Sequence, residues 1–269
     1  MRRSTLFWGA LLILFGGLLL LNNTGVIDVN VWGLIGPLFL LITGLWFVWA
    51  VIAAPESAGE TEEAVIPLAE ATRGRIRLGH GAGRLQIDAS ASSGALVSGS
   101  FAGGVQQKSR RDGDELNVEL RPPSGLFMPF PPLWIPFARG GLVWNVGLSK
   151  SVPLSLDIRA GAGEIRLDLT DLQVEELNVQ TGASSAEVKL PAHAGYTRVE
   201  AKGGLTSLKI EVPEGVAARI RATGGLAGIS VDRSRFPRTG GVNQSPDYDS
   251  AQNKVDIHVT TGLGSLVVK

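Results

Sequence analysis

Gly161-Ala162-Gly163-Glu164-Ile165-Arg166-Leu167-Asp168 sets an apolar residue at every second position behind a pair of glycines. That is the period of a strand with one buried and one wetted face. Gly81-Ala82-Gly83-Arg84-Leu85-Gln86-Ile87-Asp88 repeats the pattern and its acidic ending, and Gly262-Leu263-Gly264-Ser265-Leu266-Val267-Val268 carries it again. Gly161, Gly182, Gly203 and Gly224 recur every 21 residues, each in a small-residue segment directly before a strand pattern. A repeat of this length holds two strands of about five or six residues and two turns of about four or five. Six such strand-turn-strand units would bury one continuous apolar face. The expected fold is a β-solenoid-like stack of short strands joined by glycine turns, with a β-sandwich as the alternative. The apolar offsets slip by one between copies, from Val188 and Leu190 to Leu208, Ile210 and Val212. Such a slip turns the wrong face inward, so the glycine turns are expected to absorb it.

Outward from this array the same alternation fills the chain beyond residue 55. Arg75-Ile76-Arg77-Leu78, Leu116-Asn117-Val118-Glu119-Leu120, Leu177-Asn178-Val179, Val188-Lys189-Leu190 and Val255-Asp256-Ile257-His258-Val259 all read as strands. Pro191 and Pro213 end theirs. No window of about 12 residues there has helical apolar spacing with caps, so the region reads as all-β. The 269 residues include 35 glycines and no cysteine, which removes disulfides and thiolate chemistry. Lys+Arg and Asp+Glu number 25 each, leaving no excess of cations for nucleic-acid phosphates.

The first 55 residues are of another kind. Charge is absent from Ser4 to Ile27 and again from Val29 to Pro55. Residues 5–21 and 31–54 predict two membrane spans, about 26 and 36 Å long as helices against a hydrocarbon core of roughly 30 Å. Trp8, Trp32, Trp46 and Trp49 fall near the ends of these spans, where indoles prefer the interface. A cleaved signal peptide over residues 1–21 is the competing reading, but the apolar run is long for one and no small-residue cleavage site follows. Arg2 and Arg3 precede the first span, no Lys or Arg lies between the spans, and Arg73, Arg75 and Arg77 follow the second. Both ends are therefore expected on the cytoplasmic side of the cell membrane, with the β-domain in the cytoplasm. The expected division is a hairpin over 1–54, a linker over 55–70, a first β subdomain over 71–121, an insertion over 122–140 and a repeat domain over 141–269.

The hairpin, with Leu11 to Leu21, Asn22-Asn23 and Trp32 to Trp49, resembles the transmembrane region of LiaI/LiaF-type bacterial proteins. Gly161 to Ile165, the Leu190-Pro191 and Val212-Pro213 strand ends, Gly224-Gly225-Leu226 and Tyr248 to Gly264 are similar to the toast-rack, adhesin-like β-domains that follow it there. Together the two resemblances cover nearly the whole chain. They imply envelope-stress signalling, with a membrane histidine kinase or other membrane protein as partner. The expectation is a non-enzymatic, membrane-anchored β-domain acting as a sensor or signalling adaptor through protein contacts. The alternative is a structural scaffold that self-associates edge to edge as a homo-oligomer.

Pro122 to Phe137 is the one stretch foreign to the repeats. Six of its 16 residues are proline and eight are large and apolar, which excludes a central strand or a helix. Phe127, Phe130, Trp134, Ile135 and Phe137 are the expected contact residues, for the bilayer surface or for a protein; the competing role is a lid over the end of the β-stack. No catalytic, cofactor or metal site is expected. His80 falls in a glycine segment, His193 in a loop and His258 on a wet strand face, too far apart in sequence for a ligand motif. Gly79-x-Gly81-x-Gly83 and Gly161-x-Gly163 lead into strands and so lack the helix N-terminus that holds a phosphate. Asp112-Gly113-Asp114 reads as a hairpin turn, and Asp247 and Asp249 as a polar loop. Arg233, Arg235 and Arg238 around Phe236 read as a solvated basic turn, and Ser245 as an exposed loop residue.

Overall fold

The computed structural model describes residues 61–123 and 142–269, together with four helical residues, Pro37, Leu40, Leu41 and Gly44. Those four fall within the expected second span; the rest of the hairpin and the insertion lie outside the described residues. Among the described residues no helix is long and apolar enough to cross a membrane. Residues 1–55 and 56–269 are separate compact units. The second is all-β, as the alternation requires.

Among the described residues its strands form one open sheet of thirteen. The backbone of the sheet is a set of long strands: β2 (Arg73–Asp88), β7 (Leu154–Asp168), β8 (Val174–Lys189), β9 (Tyr196–Glu211), β10 (Ala217–Val231) and β13 (Lys254–Val268). The expected short strands are thus halves of long ones, and the glycine segments lie inside strands rather than between them. Arg75–Leu78 and Leu85–Asp88 both belong to β2. Each half obeys the period-two rule, but the two halves obey it in opposite phase. In β7, Leu156, Ile158 and Ala160 are buried before the glycines, and Ile165 and Leu167 after them. Ile165 lies five positions after Ala160, an odd offset; in a straight strand the two would face opposite ways. The same odd offset separates His80 from Leu85 in β2 and Thr261 from Leu266 in β13. The slip visible between copies is therefore made within these long strands, by a corner at the glycines.

The connections show the same corner. β7, β8 and β9 are parallel and adjacent, with Leu156 beside Leu177 and Leu177 beside Val199. A straight strand of this length reaches about 50 Å, whereas the short link from Asp168 to Val174 reaches only about 20 Å. Each long strand must therefore double back at its glycines. The two halves then bury their apolar faces in one core, in which Leu154, Ile158, Ile165, Leu167 and Leu177 are all at most 2% exposed. The two halves thus face each other as layers, and the long strands pass from one layer to the other.

Beyond β2 the sheet divides at the corner. The first half of β2 pairs β5 (Glu115–Arg121), which pairs β4 (Gln106–Asp112); the second half pairs β6 (Leu142–Leu148), which leads to β3 (Ala95–Ala102) and β1 (Thr61–Pro67). A Cβ added to Gly74 in the first layer would meet the Leu96 side chain of β3 at 2.6 Å, which shows how closely the layers approach. β2 also pairs β7 along nearly its whole length, so residues 71–121 and 141–269 share one sheet.

At the other end the order departs from the chain order. β13 lies between β9 and β10, parallel to both. The neighbour of Gly204 is therefore Gly262, and Gly225 follows it. β11 (Arg238–Thr239) and β12 (Val242–Gln244) close over the first half of β10. Phe236, fully buried, plugs that end, and Arg235 donates to the carbonyls of Val212 and Pro213 while lying over the Phe236 ring. In the basic turn expected to be solvated, Arg233 and Arg238 are exposed, whereas Arg235 and Phe236 form an end cap.

Candidate functional site

The corner is where sequence and structure depart most from a plain sheet. Gly81, Gly161, Gly182, Gly204, Gly262 and Gly225 stack across the strands. A Cβ at Gly161 would lie 2.7 Å from the Gly81 carbonyl oxygen, and one at Gly182 would lie 2.7 Å from that of Gly161. Each rung thus requires glycine because the previous rung's carbonyl occupies the space of a side chain. Gly163 adds a φ of 129°, open to glycine alone. The missing side chains leave an open groove of about 610 Å³, lined by His80, Arg159, Gln180, Thr181, Lys202 and Thr260 among others. Its two cations are partly neutralised: Arg159 lies 3.3 Å from Asp157, and Lys202 lies 3.9 Å from Glu200.

The Pro/aromatic insertion starts from this corner. β5 and β6 together stand beside β2 as its next rung, β5 against the first half and β6 against the second. Where the other rungs turn with a few small residues, this one leaves at Arg121 and returns at Leu142. Phe127, Phe130, Trp134, Ile135 and Phe137 lie outside the described residues. Their base is firm. His80 is buried beneath it, its Nε2 donating to the Leu142 carbonyl at 3.1 Å, and its ring meets Trp144 edge-on at 5.3 Å; Trp144 in turn meets Phe101 at 5.1 Å. Burial pushes the His80 pKa down, partly opposed by that carbonyl, so the ring is neutral. Sequence reading left His80 as a turn residue; its alternation with Ile76 and Leu78 was the signal for an inward face.

The remaining candidates are not brought together. His193 is exposed in its loop, and His258 is on the wet face beside Arg221 and Asp256. Asp112 and Glu115 close the β4–β5 hairpin as a register pair, with Gly113 at a φ of 62°. Asp249 pairs with Arg219. Ser245, expected to be exposed, is 6% exposed and its hydroxyl accepts from the Ala218 amide. Among the described residues no three His, Cys, Asp or Glu side chains could hold a metal ion.

The outer faces carry rows of ion pairs instead. Asp168 pairs Lys189 at 3.0 Å, Glu187 pairs Lys209 at 2.6 Å, and Glu211 receives both Lys209 and Lys269. Asp168–Lys189 and Glu187–Lys209 bridge neighbouring rungs and so reinforce the register, whereas Lys209–Glu211 lies within β9. Sequence analysis missed a second recurring device, the acid-x-hydroxyl turn that closes second halves. Asp168 Oδ1 accepts from Thr170 Oγ1 at 2.7 Å, Asp232 Oδ1 accepts from Ser234 Oγ at 2.6 Å, and Asp88 accepts from Ser90.

Comparison with known proteins agrees with this architecture. Residues 55–211 match the model of the N-terminal domain of toast_rack, DUF2154, and residues 6–48 match the LiaI-LiaF-like transmembrane region. No curated protein matches. A solved structure from Clostridium sporogenes, described as a candidate cell adhesion protein, superposes with a TM-score of 0.70 at 19% identity over 78% of this chain and 98% of its own. At that identity the likeness shows the fold. A Bacteroides fragilis adhesin candidate aligns at 8% identity with a TM-score of 0.30, over 78% of this chain and 96% of its own. The toast_rack match stops at Glu211, the end of β9, while the sheet runs on through β13 and β10. The chain belongs to the toast-rack family, as a LiaF-type protein whose β-domain follows a LiaI-LiaF-like transmembrane region.

Proposed function

We propose that this protein is a membrane-anchored contact module of envelope-stress signalling, with no catalytic step of its own. Two spans, residues 5–21 and 31–54, hold the chain in the lipid bilayer of the cell membrane with the β-domain on the cytoplasmic side. The domain is a flattened β-solenoid whose rungs turn at the glycine corner, and whose last rungs are exchanged by the insertion of β13. Its partner is a membrane histidine kinase or another membrane protein, and Phe127, Phe130, Trp134, Ile135 and Phe137 make the contact. The observation that carries this reading is the place of the insertion. A proline-rich, aromatic stretch of sequence stands between Arg121 and Leu142 at one corner of the sheet, beside the buried His80 and Trp144, where the other rungs need only a few small residues.

Replacing Phe130, Trp134 and Phe137 with serine tests the reading. The expected result is loss of stress-dependent signalling and of co-purification with the kinase, at unchanged melting temperature of the domain. Lost stability with unchanged contacts would make the segment a lid and end the proposal. Topology is tested separately with a single cysteine at Ser109, exposed on β4, in the cysteine-free chain. A membrane-impermeant maleimide should label it only after the cells are permeabilised. Labelling of intact cells would place the domain outside the membrane and remove a cytoplasmic partner.

A further inference from the structure

The second half of β10 is a bare edge. β12 pairs β10 only at Arg219 and Ile220, so from Arg221 to Val231 no described strand lies along its outer side. Ile229 continues the inward row of Leu266, Leu208 and Ala186, each at most 6% exposed, yet it is 42% exposed itself. On the opposite face Leu226 is 81% exposed, and its row runs back through Leu263 and Leu205, also open. Apolar side chains thus flank this edge on both faces.

Two other edges of the sheet, β1 and β4, are guarded. β1 carries Glu62 and Glu63 and ends at Pro67, and β4 carries Lys108, Arg110, Arg111 and Asp112, all exposed. Charge and proline are the usual means of keeping an edge from pairing. Residues 224–231, Gly-Gly-Leu-Ala-Gly-Ile-Ser-Val, contain neither.

We propose that residues 225–231 pair with the same segment of a second copy of this chain, strand to strand and antiparallel about a two-fold axis. Pairing with β1 or β4 of another copy would set an uncharged row against charged ones and would grow into an open filament. Pairing of β10 with itself opposes no like charges and closes after two copies. It supplies partners for the edge amides and carbonyls and covers Ile229 and Leu226 together. Seven residues make a small interface, below the ~1,000 Å² of a stable soluble dimer. The transmembrane region compensates by confining both copies to one plane, which raises their effective concentration. The inference deepens the reading of the domain as a contact module at the membrane by naming one of its partners.

The test uses the full chain in native membranes. A Cβ at Gly228 meets nothing within 4 Å, so Gly228→Cys is tolerated, and it is the sole thiol in the chain. A short bis-maleimide should give a dimer-sized product with Gly228→Cys and none with Ser109→Cys on the β4 edge. Adding Leu226→Lys or Ile229→Lys, both at exposed positions, should lower the yield about tenfold, the factor that 1.4 kcal/mol carries. A monomer that reacts fully with a monofunctional maleimide would show the edge left bare. A monomer that fails to react would show it covered by something else. Either result overturns the proposal, as does a dimer that is insensitive to the lysines. Failure of the signalling reading would appear in the stress reporter and not in this product, so the two are separable.

Discussion

Gly161 and Gly182 each face the carbonyl of the rung before them at a distance no methyl group can accept. Gly182→Ala should therefore cost about 1–3 kcal/mol, as overpacking does, read as a lower urea midpoint. Gly228→Ala, in open space, should instead be neutral or stabilising by up to about 1 kcal/mol. Glu211 supplies a second residue-scale prediction. Hydrogen bonds from Lys269 and then Lys209 hold its carboxyl below the usual carboxylate range. A depressed folded pKa gives stability that is complete above the unfolded value of about 4.3 and is lost as pH falls through the folded one. The melting-temperature gap between the parent and Glu211→Gln should thus be widest near neutrality and close in acid. Sequence located Gly161 and Gly182 correctly but chose Gly203 and Gly224 where Gly204 and Gly225 carry the corner. Both are glycine doublets, and only the strand partners, Leu205 beside Ala183 and Leu226 beside Leu263, decide between their members.

At the scale of elements, the alternation was legible and its continuity was not. Arg75–Leu78 and Leu85–Asp88 were each legible as a strand, but the six residues between them read as a turn between two strands. A corner within one strand has the same sequence, small residues at an odd spacing, and what distinguishes it is pairing on both sides of the bend. β5 and β6 are the exception that shows the rule, a rung whose corner was opened to admit the insertion. Replacing residues 124–140 with a short Gly-Ala-Gly link should restore an ordinary corner. The domain should then melt within a few degrees of the parent, because His80, Trp144 and Phe101 remain in place, while any co-purification with a kinase, the partner proposed above, is lost.

For the molecule as a whole, the period pointed to stacking and hid the order of the last rungs. Nothing in the spacing reveals that β13 enters between β9 and β10, because its cassette, Gly262-Leu263-Gly264, resembles its neighbours on both sides. The arrangement predicts a particular failure. A chain ended after Asn253 loses the strand that joins β9 to β10, not merely a terminal repeat. It should lose its single cooperative transition in thermal denaturation, and amides of both β9 and β10 should exchange freely. A chain that melts as one unit without β13 would contradict the topology.

The place of β13 also bears on how the protein is made. On a ribosome β9 and β10 emerge one after the other with similar glycine cassettes, while their true common neighbour is still untranslated. At about 5–20 residues per second, the wait for residues 254–268 lasts several seconds. In that interval the period of 21 invites β10 onto β9, a pairing with good local chemistry that the finished protein does not contain. Synthesis must then either hold the two apart or exchange one strand for another. The same regularity that lets the repeats stack thus builds a competitor for the last step of biogenesis, and cellular factors that shield nascent sheet edges would govern the yield of this protein.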